Sequence, residues 1–109
     1  MKYDVILHVG APKTGSSAIQ RFCLSNREVL SDFGLYYPDH PVDANDVSGG
    51  HSFIAGPLLK KDERLAKQNF DRSLADARAQ GRVLVLSSEV FYRLSEPVSD
   101  WCAGLKVQV

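Results

Sequence analysis

The sequence predicts an α/β domain with an open parallel sheet flanked by helices. Three observations carry that reading. Two short apolar runs, Val5 to Val9 and Val83 to Leu86, suit parallel strands covered on both faces. Segments of helical period lie between them, and a glycine-containing loop, Gly10 to Ser17, joins the first run directly to the first helical segment. Strands that alternate with helices build a sheet with its ligand sites at the carboxyl ends of the strands.

The elements follow in order. After the first strand and its loop, Ala18, Ile19, Phe22, Cys23, Asn26, Val29 and Leu30 recur at helical spacing, while Gln20, Arg21, Arg27 and Glu28 fall where they can face water. Ser16 or Ser17 stands near the helix start, so the free N–H groups of the first turn point back toward the loop. Gly34 ends this segment, Leu35 to Tyr37 forms a short extended piece, and Pro41 to Gly50, rich in Pro, Asp, Asn and Gly, reads as a loop. A second helix is expected over Asp62 to Gln80, burying Leu65, Phe70, Leu74 and Ala77, with Lys67, Asp71, Arg72, Asp76 and Arg78 on a solvated face. Gly81 stops it ahead of the Val83 strand, and Leu105, Val107 and Val109 alternate as the start of a further strand.

Composition narrows the function classes. The 109 residues allow one domain, and 13 basic residues balance 13 acidic ones, so no overall field favours nucleic acid or an acidic membrane. No stretch approaches the roughly 20 apolar residues that span a bilayer, and the amino-terminal run is too short for a secretory signal. A soluble, cytoplasmic protein is the expectation. Cys23 and Cys102 form no metal or redox motif, and His8, His40 and His51 lack compact ligand spacing, so no metal is expected.

The chemistry concentrates in Gly10, Ala11, Pro12, Lys13, Thr14, Gly15, Ser16 and Ser17. Successive backbone N–H groups between a strand and a helix can surround a tetrahedral anion, with the helix end adding positive potential. Lys13 supplies a cation, and the glycines permit close backbone approach. The nucleotide-triphosphate loop GxxxxGK[ST] puts its lysine after the second glycine. Here Lys13 precedes Gly15, which weakens a simple ATPase or GTPase reading.

ILHVGAPKTGSSAIQ resembles the 5′-phosphosulfate loop of the sulfotransferases that use 3′-phosphoadenosine 5′-phosphosulfate, and NRE at Asn26 to Glu28, GLYYP at Gly34 to Pro38 and LSSE at Leu86 to Glu89 resemble bacterial members. The resemblance covers the amino-terminal portion of the usual family domain and implies a P-loop NTPase-like sheet, with residues 1–109 the amino-terminal part of one domain. It implies that the phosphosulfate donor is the cosubstrate and that no metal is needed. Lys13 would then contact the bridge between phosphate and sulfate, and Thr14 to Ser17 the 5′-phosphate. An arginine and a serine beyond the strand near Lys106 to Val109 would hold the 3′-phosphate.

Transfer to a hydroxyl needs a proton acceptor. Glu89, just past the second strand, suits a general base or an acceptor-positioning group, or a charge that holds the following turn; His51, after Gly49 and Gly50, competes with it, with loop packing as the plain alternative. Phe91, Tyr92 and Trp101 fit either core or an acceptor wall. Carbohydrate, lipid, peptide and small-alcohol acceptors all remain open. The alternatives to sulfuryl transfer are a nucleotide-binding regulatory or catalytically incomplete module and a P-loop small-molecule kinase.

Overall fold

The computed structural model describes residues 3–8, 16–40, 50–88, 91 and 100–108. Its elements run β1 (Val5–His8), α1 (Ser16–Ser25), α2 (Arg27–Asp32), β2 (Leu35–Tyr36), α3 (Ser52–Leu59), α4 (Glu63–Ala79), β3 (Val83–Ser87) and β4 (Val107–Gln108). The four strands form one sheet in the order β2-β3-β1-β4, and every pair is parallel. The α/β expectation holds at this level.

Register sorts the side chains between two faces. Val5 pairs with Leu84 and Leu7 with Leu86, and these four lie in one core cluster with Ile54, Ala55 and Leu58 of α3 and Ala66, Phe70, Leu74 and Ala77 of α4. Ile6 pairs with Val85 and His8 with Ser87, and these alternate residues face the other side, toward α1. β1 and β3 are apolar on both faces until their carboxyl ends, where His8 and Ser87 stand.

The order of the strands sets where neighbouring connections part. From β1 the chain travels out to β2 and returns to place β3 between them; from β3 it crosses to β4 on the far side of β1. The connections leaving β1 and β3 therefore diverge. Such a divergence between neighbouring parallel strands opens a crevice at their carboxyl ends.

The helix α4 begins and ends as its sequence directs. Asp62 Oδ1 accepts from the Leu65 N–H at 3.2 Å, and Gly81, at φ 65°, lets the Arg82 N–H reach the Ala77 carbonyl at 2.9 Å, which closes the last turn. Its expected charged face is exposed, with Lys67 and Asp71 paired at 2.8 Å. Leu65 departs from expectation: it is 43% exposed, because it lies in the first turn, ahead of the stripe that starts at Ala66.

The helix α3 is unmarked in the sequence reading, since Gly56 and Pro57 stand where a helix would be expected to break. It persists because Ile54, Ala55 and Leu58 are buried against α4. Pro57 has no N–H for the Phe53 carbonyl one turn back, and Asn69 Nδ2 of α4 donates to that oxygen at 2.6 Å instead.

The segment from Ala18 to Leu30 is two helices meeting at Asn26; Arg21 and Glu28 are exposed and Cys23 and Leu30 half-buried as expected, but other positions depart from the expectation. Ile19, Phe22 and Val29 are 47%, 63% and 50% exposed, while Gln20 is 1% exposed. Gln20 faces the polar end of β3, where it donates to Ser87 Oγ at 2.9 Å.

Candidate functional site

The carboxyl ends of β1 and β3 are joined by side chains. His8 Nδ1 lies 2.7 Å from Ser87 Oγ, and Gln20 Nε2 of α1 donates to the same oxygen at 2.9 Å. Ser87 and Ser88 are each 1% exposed, and the Ser88 N–H donates to the His8 carbonyl at 3.2 Å. Gln20 Oε1 is buried without a hydrogen-bond partner.

A second polar layer holds the end of β3 from the other side. The His51 N–H donates to the Ser87 carbonyl at 2.9 Å, and the Ser87 N–H donates to His51 Nδ1 at 2.9 Å. His51 Nε2 then carries the ring proton and donates it to the Pro38 carbonyl at 2.7 Å. Gly50 makes this approach feasible. Its φ is 73°, and a Cβ there would collide with the Ser87 carbonyl oxygen and sit 2.9 Å from Gln20 Nε2.

His51 is 0% exposed, and burial pushes its pKa down to about 4, with the nearby His40 and Arg27 adding to the depression. Tyr37, His40 and Phe53 surround it, with ring centroids 4.5, 4.9 and 5.8 Å away. Tyr37 hydroxyl and His40 Nε2 are 2.7 Å apart, and burial raises the Tyr37 pKa. Both nitrogens of His51 are thus committed to backbone groups. This geometry makes it a clamp between Pro38 and Ser87 and leaves no lone pair open to an acceptor proton.

Of the other residues singled out from sequence, Gly10 to Gly15, including Lys13, and Glu89 lie outside the described residues. Ser16 and Ser17 open α1, so the backbone that leaves the loop enters a helix amino terminus. Phe91 is 1% exposed within the core, Trp101 packs at that core's edge with its ring 5.6 Å from Phe70, and Tyr92 lies outside the described residues. Cys23 and Cys102 are free thiols, each raised in pKa by burial.

Sequence reasoning missed Gln20 and the His8–Ser87 pair. The signal was there: His8 interrupts the first apolar run and Ser87 ends the second, and parallel register sets the two side by side. Nothing comparable marks Gln20, which stands between Ile19 and Arg21.

Among the described residues no group of three or more His, Cys, Asp or Glu is arranged to hold a metal. No described helix is long and apolar enough to cross a membrane. Two surface grooves, of about 470 and 270 Å³, lie beside β2, and neither is lined by His8, Gln20 or Ser87. Comparison with protein-family models, curated proteins and solved structures gives no match for this chain.

Proposed function

We propose that this chain supplies the donor-binding end of an enzyme that transfers a sulfuryl group from 3′-phosphoadenosine 5′-phosphosulfate to a hydroxyl acceptor. What supports the reading is that β1 ends at His8 beside β3 in a parallel sheet and α1 begins at Ser16, so the sequence between them joins a strand's carboxyl end to a helix amino terminus. That is where a diverging α/β sheet offers backbone N–H groups to an anion. The resemblance of HVGAPKTGSS and LSSE to sulfotransferase segments supplies the choice of anion.

In the reaction the acceptor oxygen attacks sulfur, the bond from sulfur to the bridging oxygen breaks, and the nucleotide phosphate leaves with the electron pair. Lys13 stabilises the charge that develops on that oxygen, and the loop N–H groups keep the donor in line. Glu89, two residues past the end of β3, takes the acceptor proton or positions the acceptor. His51, committed to backbone at both nitrogens, holds the Ser87 end of the strand from which Glu89 follows. Donor groups of the protein suffice without a metal, because a sulfuryl group carries less charge than a terminal phosphoryl group.

Equilibrium binding of adenosine 3′,5′-bisphosphate to the wild type and to Lys13→Ala tests the reading. Binding that weakens by roughly tenfold or more in the variant, the scale of a lost hydrogen bond to a charged group, supports it. Absence of binding by the wild type rejects it.

A further inference from the structure

The strand β2 is an edge of the sheet: it pairs with β3 on one side and, among the described residues, with no strand on the other. Register fixes which of its backbone groups look outward. Leu35 stands opposite Val83, whose N–H donates to the Gly34 carbonyl at 2.9 Å. In a parallel ladder Tyr36 then turns its N–H and C=O toward β3, and Leu35 turns both of its own away. Among the described residues the Leu35 N–H and C=O bond to no other group. Two residues on, Arg27 Nε donates to the Tyr37 carbonyl at 2.8 Å, which closes the open stretch of edge. A residue with both backbone groups free is where an antiparallel neighbour exchanges two hydrogen bonds with one residue of its own.

A groove flanks each face of this edge. The larger, of about 470 Å³, lies between β2 and α2 and is lined by Arg27, Glu28, Asp32 and Leu35 among others. The smaller, of about 270 Å³, lies between β2 and α4 and is lined by Tyr36, Asp39, Arg72 and Asp76 among others. Side chains of an added strand alternate between faces, so consecutive residues would enter one groove and then the other. Each groove holds two carboxylates and one guanidinium, a local acidic excess in a chain whose formal charge is zero. None of these four carboxylates is in an ion pair among the described residues; the Lys67–Asp71 pair lies elsewhere on α4.

We propose that the β2 edge receives an extended segment of a partner protein as an added strand, and that this segment carries adjacent basic side chains. The main-chain pair at Leu35 sets its register, and the carboxylates of the two grooves select its lysines or arginines. A second copy of this chain is the poorer occupant, because two-fold pairing of β2 with β2 sets acidic grooves against each other. Neither groove is lined by a residue assigned to sulfuryl transfer, so the edge and the donor site stand or fall separately.

The probe is the acetylated, amidated hexapeptide TVKKVT, whose central lysines face opposite sides of a strand. The peptide TVEEVT and forms of TVKKVT with N-methyl groups at alternate residues, in either phase, are the controls. In ¹H–¹⁵N spectra of the whole protein the Leu35 amide should move downfield as TVKKVT is added, and the Tyr36 amide, already bonded within the sheet, should move less. One N-methyl phase should abolish the shift, and the wild type should bind TVEEVT far more weakly. Asp32→Lys combined with Asp76→Lys reverses the excess charge of both grooves at exposed positions. With its fold verified by the thermal transition, this double variant should bind TVKKVT roughly tenfold more weakly, the scale of two exposed charge reversals, and should bind TVEEVT better than the wild type does. A Leu35 amide that stays still at millimolar TVKKVT, equal affinity for the two peptides, or binding undiminished by either N-methyl phase overturns the proposal. So does a Leu35 amide that moves with protein concentration alone as a dimer appears in sedimentation, which gives the edge to a second copy.

Discussion

Acidification should destabilise this protein through His51. The ring is 0% exposed, accepts from the Ser87 N–H and donates to the Pro38 carbonyl, an arrangement that only the neutral form can make. Protonating Nδ1 would set a proton against the Ser87 N–H inside a buried aromatic surround. Its folded pKa is about 4 against an ordinary value of 6.5, so the unfolded chain binds the proton first. The stability tied to this difference is complete above pH ~6.5 and is lost as the pH falls toward ~4, with a total of roughly 3 kcal/mol. That is a large share of the ~5–15 kcal/mol available to a small domain. Urea unfolding from pH 7.5 to pH 4, run on the wild type and His51→Gln, isolates the effect, because the carboxylates titrate in both. The variant should be less stable at pH 7.5, by ~1–3 kcal/mol for the lost backbone partner, and should lose roughly 3 kcal/mol less than the wild type on acidification. Parallel pH profiles for the two proteins would refute the reasoning.

Other substitutions read other parts of the account. Gly50→Ala should cost at least ~2 kcal/mol, since it imposes both a left-handed backbone on a residue with a Cβ and a collision with the Ser87 carbonyl; a chemical denaturation midpoint equal to the wild type would contradict it. Asn69→Ala should cost ~1–3 kcal/mol by stranding the Phe53 carbonyl that Pro57 cannot serve, and a neutral result would show that water or a relaxed α3 replaces the bond. Phe22→Ala should cost less than ~1 kcal/mol because the ring is 63% exposed; a loss of ~3–5 kcal/mol, the scale for a core phenylalanine, would mean that α1 packs the other way round.

Pattern located β1, β3 and α4: short apolar runs bounded by turn residues for the covered strands, and a Phe70, Leu74, Ala77 stripe against charge for the helix. The same kind of pattern misled at α1. Ile19 and Phe22 mark an apolar stripe, but both are exposed while Gln20 is buried with a bond to Ser87, a contact across 67 residues that no local window contains. At α3 a local breaker, Pro57, was outweighed by burial of Ile54, Ala55 and Leu58 together with a carbonyl partner 16 residues away in sequence. Neither contact is local, so neither is written in a window of neighbouring residues.

The site divides along the same line. Gly10 to Ser17 stands out in the sequence as a contiguous string of small, hydroxyl-bearing and basic residues, and the anion role proposed for it rests on that string. His51 was legible as unusual, after two glycines, but not as a clamp; that role depends on Ser87 and Pro38, brought together only by the fold. The His8–Ser87 pair needed the parallel register of β1 against β3 to become visible.

Which group moves is the most direct test of the account. The natural full-length protein, given ³⁵S-labelled phosphosulfate donor or γ-³²P-labelled ATP with one panel of carbohydrate, lipid, peptide and small-alcohol acceptors, should pass labelled sulfate to a hydroxyl in the presence of a chelator and lose that activity in Lys13→Ala. Magnesium-dependent transfer of labelled phosphate with no transfer of sulfate would contradict it.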